Sequence, residues 1–129
     1  MSARKKANFK AGLIFACETN DAEFAKLMIS RGAIDFNYGL HRACERGHKE
    51  MAELMIRHGA TKFDWGLYAA CRNNHIELVN FMIDRGANDF NYGLHIACAR
   101  NHNEITKLLG SIAPTAVCFY CRKSGAEHA

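Results

Sequence analysis

The chain has 129 residues, a formal net charge of +4, 49% hydrophobic residues and 23% charged residues. This length suits one domain, and this composition is ordinary for a globular protein. No apolar run is long enough to cross a membrane and the first ten residues hold no apolar signal segment, so we expect neither a membrane span nor a secretory signal. Six cysteines in such a chain predict reduced thiols in an intracellular, cytoplasmic protein.

Residues 1–8 form a basic N-terminal leader that contains Arg4, Lys5 and Lys6. The favoured interpretation is a solvated chain end. The alternative is an arm that contacts phosphates, which would make the protein a weak nucleic-acid binder, or a nuclear address. Such an arm needs a basic patch elsewhere, and the other lysines and arginines are spread among acids. Nucleic acid is therefore an unfavoured partner.

A 27-residue period organises residues 9–113 into four repeats, at about 9–33, 36–60, 63–87 and 90–113. The positions that keep this interval include glycines and cysteines, namely Gly12, Gly39, Gly66 and Gly93, and Cys17, Cys44, Cys71 and Cys98. Repetition at one fixed period indicates supersecondary units that stack on their neighbours.

Each repeat contains two helical patterns. Leu40, Ala43 and Cys44 share one face of a short first helix, and Met51, Leu54 and Met55 share one face of a longer second helix. Gly59 follows the second pattern and is expected to end that helix. Each repeat is therefore predicted to be a helix hairpin.

A glycine or asparagine separates the two helices of each repeat. Gly47 holds this position in the second repeat, and the equivalent residues are Asn20, Asn74 and Asn101. These residue types tolerate the left-handed conformation that closes a helix, which favours the end of the first helix. They also suit an N-cap, and Glu50 would then complete a capping box. Both interpretations break the chain at Gly47.

Two motifs resemble the ankyrin repeat. Gly39-Leu40-His41-Arg42-Ala43 is similar to the T-P-L-H-x-A pattern, with glycine in place of proline, and Gly47-His48-Lys49-Glu50 is similar to G-H-x-E. Ankyrin repeats have about 33 residues, so the present repeats are too short for the projecting β-turn. Such shortened repeats resemble the ankyrin arrays of giant DNA viruses of amoebae, which would place the protein in the host cytoplasm.

The resemblance implies an all-α fold, an ankyrin-like α-solenoid of four helix-turn-helix repeats that lacks the β-hairpin fingers. Residues 114–129 are expected to form a short C-terminal cap, with Gly110 and Pro114 ending the array. The aromatic pair before each glycine, such as Phe36 with Tyr38, is expected to fill the groove where the β-turn is missing.

The resemblance also implies a non-enzymatic scaffold that binds another protein through the concave face formed by its first helices. Contacts are expected at the positions that vary between repeats and beside them: Arg42, Glu45, Arg46, Tyr68, Arg72, Asn73, Ile96 and Arg100. His41 and His95 are instead expected to bond neighbouring repeats, as in the family. We expect no catalytic residue, no cofactor, no small-molecule substrate and no membrane partner, and a monomer.

The periodic cysteines are not expected to bind metal. Equivalent residues of adjacent repeats lie about 8–10 Å apart, one helix spacing, which is too far for a shared zinc ion or a disulfide. They are predicted to be small apolar fillers. The tail contains Cys118-x-x-Cys121, with His128 seven residues further on. A single CxxC is a weak signal, so metal-binding or redox chemistry at this tail is the alternative function and no metal site is predicted.

Overall fold

The computed structural model of the chain describes the backbone of residues 3–128 and the side chains of residues 8–128. Within this part lie nine helices: α1 (Ala3–Thr19), α2 (Ala22–Ser30), α3 (Phe36–Arg46), α4 (Lys49–Arg57), α5 (Phe63–Arg72), α6 (Ile76–Arg85), α7 (Phe90–Ala99), α8 (Asn103–Ile112) and α9 (Gly125–His128). The described residues hold no strand, and their one isolated β-bridge joins Val117 and Ser124. The predicted all-α fold class of ankyrin-like helix hairpins without β-hairpin fingers is confirmed.

The helix α1 begins at Ala3, within the segment predicted to be a basic leader. Met1, Ser2 and the side chains of Arg4, Lys5 and Lys6 lie outside the described residues. The proposed roles of these side chains therefore remain predictions.

Left-handed residues end the first helices. Gly47 has a φ of 81° and is the C-cap of α3, while α4 begins after its own N-cap, His48. Asn20, Asn74 and Asn101 have φ values of 60°, 61° and 59° at the equivalent positions. The helix-ending interpretation is confirmed. The capping-box alternative is wrong because the N-cap is the histidine that follows Gly47.

The described helices form two compact units, one within residues 3–62 and one within residues 63–128. The N-terminal unit contains α1–α4, and its core includes Leu13, Leu40, Met51 and Met55, which are fully buried. The C-terminal unit contains α5–α9, and its core includes Leu67, Met82, Leu94, Ile105 and Leu109. The methionine column that the period predicted as core is buried in both units.

Only one member of each aromatic pair is packed as predicted: Phe36, Phe63 and Phe90 are half-buried, and the ring of Phe36 stacks on that of His58, whereas the second member is exposed. Tyr38, Trp65 and Tyr92 are 42%, 49% and 43% exposed. The segments after α4, α6 and α8 are also held by polar side chains. Asn37 Oδ1 accepts hydrogen bonds from the backbone N–H groups of Thr61 and Lys62, at 2.7 and 3.1 Å.

The same contact recurs in the C-terminal unit. Asp64 Oδ1 accepts the N–H groups of Asn88 and Asp89, and Asn91 Oδ1 accepts that of Val117. These residues share one position of the 27-residue period. Because each of these side chains accepts one or two backbone donors, the loops are held in place without a β-turn.

The tail after α8 folds back onto the C-terminal unit. Gly110 lies buried inside α8, which continues to Ile112, so the prediction that Gly110 ends the array is wrong. A Cβ added at Gly125, the first residue of α9, would overlap the carbonyl oxygen of Ala113. The absence of a side chain there lets α9 approach the end of α8 closely.

Candidate functional site

Arg42 lies at the centre of a polar network in the N-terminal unit. Its guanidinium donates to Glu45 Oε1 at 3.0 Å and to the hydroxyl of Tyr38 at 2.9 Å. Its Nε lies 3.6 Å from Glu18 of α1, which is an ion pair too long for a hydrogen bond. Arg42 therefore links α1 to α3, in addition to any contact with a partner.

Glu45 and Arg46 complete the predicted contact positions of this unit. Glu45 also lies 3.5 Å from Nε2 of His41, so its carboxylate serves two neighbours on its own helix. Arg46 is exposed in the last turn of α3, where its charge suits the helix dipole. Of these side chains, Arg46 is the one most accessible to a partner.

The contact positions predicted for the C-terminal unit differ in exposure. Arg72, Asn73 and Arg100 are exposed, and Asn73 Nδ2 donates to the Ala69 carbonyl at 2.9 Å. Ile96 is only 7% exposed. The structure therefore corrects the prediction for Ile96, whose side chain belongs to the core of this unit and cannot anchor a partner.

Tyr68 is half-buried between two neighbours. Its hydroxyl donates to Asp89 Oδ2, and its ring meets the ring of Tyr92 edge to face, with centroids 4.7 Å apart. Burial, together with the hydrogen bond to Asp89, raises the pKa of Tyr68. The phenol stays protonated and its ring is held rigidly beside the exposed ring of Tyr92.

An aromatic group that was not predicted continues from Tyr92 into the tail. The ring of His95 lies 6.1 Å from that of Tyr92, 6.2 Å from that of Phe119 and 6.5 Å from that of Tyr120. Phe119 and Tyr120 are 62% and 66% exposed. The sequence showed these rings only as apolar residues of a cap, because their position beside α7 depends on how the tail folds.

Three of the periodic cysteines are apolar fillers, as predicted. Cys17, Cys44 and Cys71 are fully buried, and burial raises the pKa of each thiol to about 12. Thiols with such pKa values stay protonated and are inert near neutral pH.

Cys98 is different because it meets the tail. Its Sγ lies 3.4 Å from Sγ of Cys121, and Cys121 Sγ lies 3.2 Å from Nε2 of His128. Together with Cys118 Sγ, these four ligand atoms all lie within 4.8 Å of one another. The sequence placed Cys118, Cys121 and His128 in one segment but gave no sign that Cys98 joins them. This arrangement does not support the prediction that the chain has no metal site.

The thiols of this cluster differ in acidity. Burial raises the pKa of Cys121, but hydrogen bonds with Cys118, the Lys123 backbone and Cys98 outweigh it, and the pKa lies below its ordinary value. Burial and the hydrogen bonds with Cys121 and Cys118 raise the pKa of Cys98 to about 12. Cys121 therefore ionises more readily than Cys98.

One part of the repetitive region matches a known protein family. Residues 37–64 match the ankyrin repeat. The interval covers nearly all of α3, all of α4 and the first two residues of α5, which is one residue more than a full 27-residue period. No curated protein matches the chain. In the described part of the chain, every helix is too short or too polar to cross a membrane.

The histidines of this ankyrin-type pattern have a different role from the one predicted. His41 contacts Glu45 of its own helix, and His95 lies among aromatic rings, so the structure does not support either as a link between repeats. His48 Nε2 instead lies 3.1 Å from the Glu18 carbonyl, and His102 Nε2 lies 2.9 Å from the Arg72 carbonyl. The histidine after the left-handed residue thus reaches the end of the preceding first helix.

Proposed function

We propose that this chain is a non-enzymatic scaffold that binds another protein through side chains of its first helices. The observation that carries this proposal is the exposure of Tyr38, Trp65 and Tyr92, which hold the same position of three successive repeats. The match to the ankyrin repeat supports it, because ankyrin repeats generally mediate protein interactions.

Exposed aromatic side chains at fixed intervals have the chemistry of interface anchors. Tyrosine and tryptophan bury a large area on binding and lose little conformational entropy, which is why they are enriched among residues that dominate binding energy. In the C-terminal unit, Tyr92, Phe119 and Tyr120 extend one such surface from α7 into the tail. Tyr68 supports this surface by holding Tyr92 in place.

Arginines and polar groups of each unit, taken separately, supply specificity in our proposal. Arg46, Arg72 and Arg100 are exposed near the C-terminal ends of the first helices, with Asn73 next to Arg72. Planar guanidinium groups recognise carboxylates with two parallel hydrogen bonds. Arg42 donates a hydrogen bond to Glu45 within the protein, and we propose that the exposed atoms of both side chains contact the partner.

The partner proposed is a protein, and not a small molecule, a membrane or a nucleic acid. A net charge of +4 is mild, and the described surface exposes several aromatic rings, among them Trp65, Tyr92 and Tyr120. We further propose that the protein acts as a monomer in the cytoplasm. If the similarity of its shortened repeats to those of giant DNA viruses reflects its origin, this is the cytoplasm of the host.

The test compares two double variants in the native cell. Trp65→Ala with Tyr92→Ala removes two anchors, whereas Asn80→Ala with Lys107→Ala changes exposed positions of the second helices α6 and α8. Proteins crosslinked to each variant are quantified by mass spectrometry, and binding of the recovered partner is then measured with purified components. We expect the aromatic variant to bind at least about 30-fold more weakly, which corresponds to about 2 kcal/mol.

The control variant should bind like the wild type. A folded aromatic variant that retains every partner at wild-type affinity would contradict the proposed surface. Circular dichroism of both variants checks that the helices are intact.

A further inference from the structure

We propose that Cys98, Cys118, Cys121 and His128 bind one Zn²⁺ ion tetrahedrally and that this ion fastens the C-terminal tail to α7. The four residues come from two places far apart in the sequence, the end of α7 and the tail around α9. The inference is independent of the protein-binding function, because it rests on ligand geometry alone.

The distances between the ligand atoms fit a tetrahedral zinc site. Sulfur and nitrogen ligands at about 2.3 and 2.0–2.1 Å from one ion lie about 3.5–3.8 Å from each other. The Cys98–Cys121 sulfur separation of 3.4 Å and the Cys121–His128 separation of 3.2 Å are slightly shorter. All four ligand atoms lie within 4.8 Å of one another, so side-chain movements of about 1 Å or less suffice to place an ion among them.

The ligand types select zinc over other metals. Three thiolates and one imidazole form one of the common ligand sets of structural zinc sites. Magnesium and calcium prefer oxygen ligands, and this cluster contains none. Thiolate-rich tetrahedral sites select zinc or iron–sulfur clusters, and the latter are held mostly by four cysteines.

Four protein ligands leave no open coordination position, so the site is structural and not catalytic. Binding converts three thiols to thiolates and releases their three protons to solvent, while the neutral imidazole of His128 donates the lone pair of Nε2. No electron is transferred, and the ion keeps its charge.

The backbone around Cys118 is already arranged to support a bound thiolate. The N–H of Cys121 points to Sγ of Cys118 at 3.5 Å, which would stabilise negative charge on that sulfur. Arg122 has a φ of 58°, and its N–H donates to the Cys118 carbonyl at 2.7 Å. The Cys118 N–H donates in turn to the Lys123 carbonyl at 2.8 Å. This tight turn brings both cysteines to the same side.

The position of Cys98 in the repeat explains why it alone of the periodic cysteines can join this site. Within each unit, one earlier cysteine of the column faces the glycine of the next repeat: a Cβ added at Gly39 would lie 3.2 Å from Cys17 Sγ, and one at Gly93 would lie 3.5 Å from Cys71 Sγ. After Cys98, the tail takes the place of that next glycine, and it supplies Cys118, Cys121 and His128.

The first experiment measures metal in the full chain, purified under reducing conditions without a polyhistidine tag. Elemental analysis should give one zinc per chain. Titration of metal-free protein with Co²⁺ should give the visible bands of tetrahedral cobalt, and a thiolate-to-cobalt charge-transfer band whose intensity corresponds to three thiolates. Absence of bound zinc, or a cobalt spectrum with octahedral character, would overturn the proposal.

Variants then identify the ligands. Cys98→Ser, Cys118→Ser and His128→Ala should each lower zinc affinity more than about 100-fold, the upper end for groups that merely support a ligand. Cys71→Ala is the matched control for Cys98, because it occupies the same position one repeat earlier, and it should retain one zinc. His58→Ala, an exposed histidine outside the cluster, is the control for His128.

Undiminished zinc affinity in Cys98→Ser would show that the tail does not use α7 and would contradict the four-ligand site. A disulfide between two of these cysteines in protein kept reduced, detected as the loss of two hydrogens by intact mass, would also overturn it. Because the wild-type measurement needs no variant to fold, the proposal can fail on that measurement alone.

Discussion

At the scale of single residues, variation between repeats is a poor guide to exposure. Phe15, Arg42, Ala69 and Ile96 hold one variable position of the period. Phe15 is 59% exposed, whereas Ala69 and Ile96 are 1% and 7% exposed. The side chain at this position packs differently in each repeat. Variation at the position therefore does not mean that packing leaves it unconstrained. Arg42 was expected to contact only a partner, but its contacts with Glu18, Tyr38 and Glu45 give it a role in stability as well.

Replacing Arg42 by alanine should lower the free energy of unfolding by about 1 kcal/mol, since it leaves Glu18 and Glu45 without their shared cation and removes two hydrogen bonds. Arg72→Ala, at an exposed position, should change it by less than about 0.5 kcal/mol. Urea denaturation compares the two variants. Equal effects would show that the network around Arg42 contributes nothing to stability.

The buried thiols are expected to lower the free energy of unfolding at alkaline pH. Burial raises the pKa of Cys44 from 9.0 to about 12, so the folded chain holds this proton more tightly than the unfolded chain. The stability that this protonated thiol contributes to the folded state is complete below pH 9 and is lost as the pH rises towards 12. We expect Cys44→Ala to flatten the fall of the unfolding free energy above pH 9, measured by urea denaturation from neutral pH upwards. An unchanged slope would show that this thiol does not contribute to alkaline lability.

At the scale of the helices, the glycines Gly39 and Gly93 of the first helices α3 and α7 set how closely the second helix of the same repeat approaches. A Cβ added at Gly39 would lie 2.7 Å from Met55 Sδ and 3.2 Å from Cys17 Sγ, and both of these side chains are fully buried. In the last repeat, a Cβ at Gly93 would lie 3.3 Å from Leu109 Cδ1. The two positions look identical in sequence but leave different amounts of space.

This difference predicts opposite outcomes for the same substitution. Gly39→Ala should destabilise the protein by about 1–2 kcal/mol, because overpacking outweighs the helix propensity gained. Gly93→Ala should be neutral or stabilise by up to about 1 kcal/mol, because a small shift of Leu109 makes room and the propensity gain remains. Thermal melts of both variants check this. Similar melting temperatures for the two would contradict the packing argument.

At the scale of the whole molecule, the repeats need an end that differs from the interior. The tail covers the C-terminal unit with three buried residues, Ala116, Cys118 and Gly125, while Phe119 and Tyr120 remain exposed. Terminal repeats of such arrays must cover apolar surface that a further repeat would otherwise bury. This burial agrees with the predicted role of the tail as a cap, which the next experiment tests, and the tail also carries three of the proposed metal ligands.

Removing residues 114–129 should lower the free energy of unfolding by about 2 kcal/mol or more and promote self-association, because apolar surface of α7 and α8 becomes exposed. Light scattering and a thermal melt measure both effects. The control is Phe119→Ser with Tyr120→Ser, which keeps the cap and removes only exposed rings. A truncated chain that stays monomeric and melts like the wild type would show that the tail does not cap the unit.

The sequence by itself determined the fold class. A period of 27 residues, two helical patterns per period and a glycine or asparagine between them are local features, and Gly47 with its positive φ shows that they act locally. The core could also be predicted, because Met55 and Met82 recur where one face of the second helix must be buried. The two interpretations of Gly47, as the end of α3 or as the N-cap of α4, place the helix boundary within one residue of each other. The sequence could not separate them because glycine and asparagine suit both kinds of cap.

Only the tertiary structure decided which side chains meet. Arg42 finds Glu18 24 residues earlier, and Cys98 finds Cys121 23 residues later, through the stacking of helices and the folding of the tail. The period could not show either contact, because a period relates equivalent residues, whereas these pairs join different positions of the pattern. The exposure of Tyr38 and the burial of Ile96 likewise depend on the packing of neighbouring helices. The pattern along one helix contains no information about that packing.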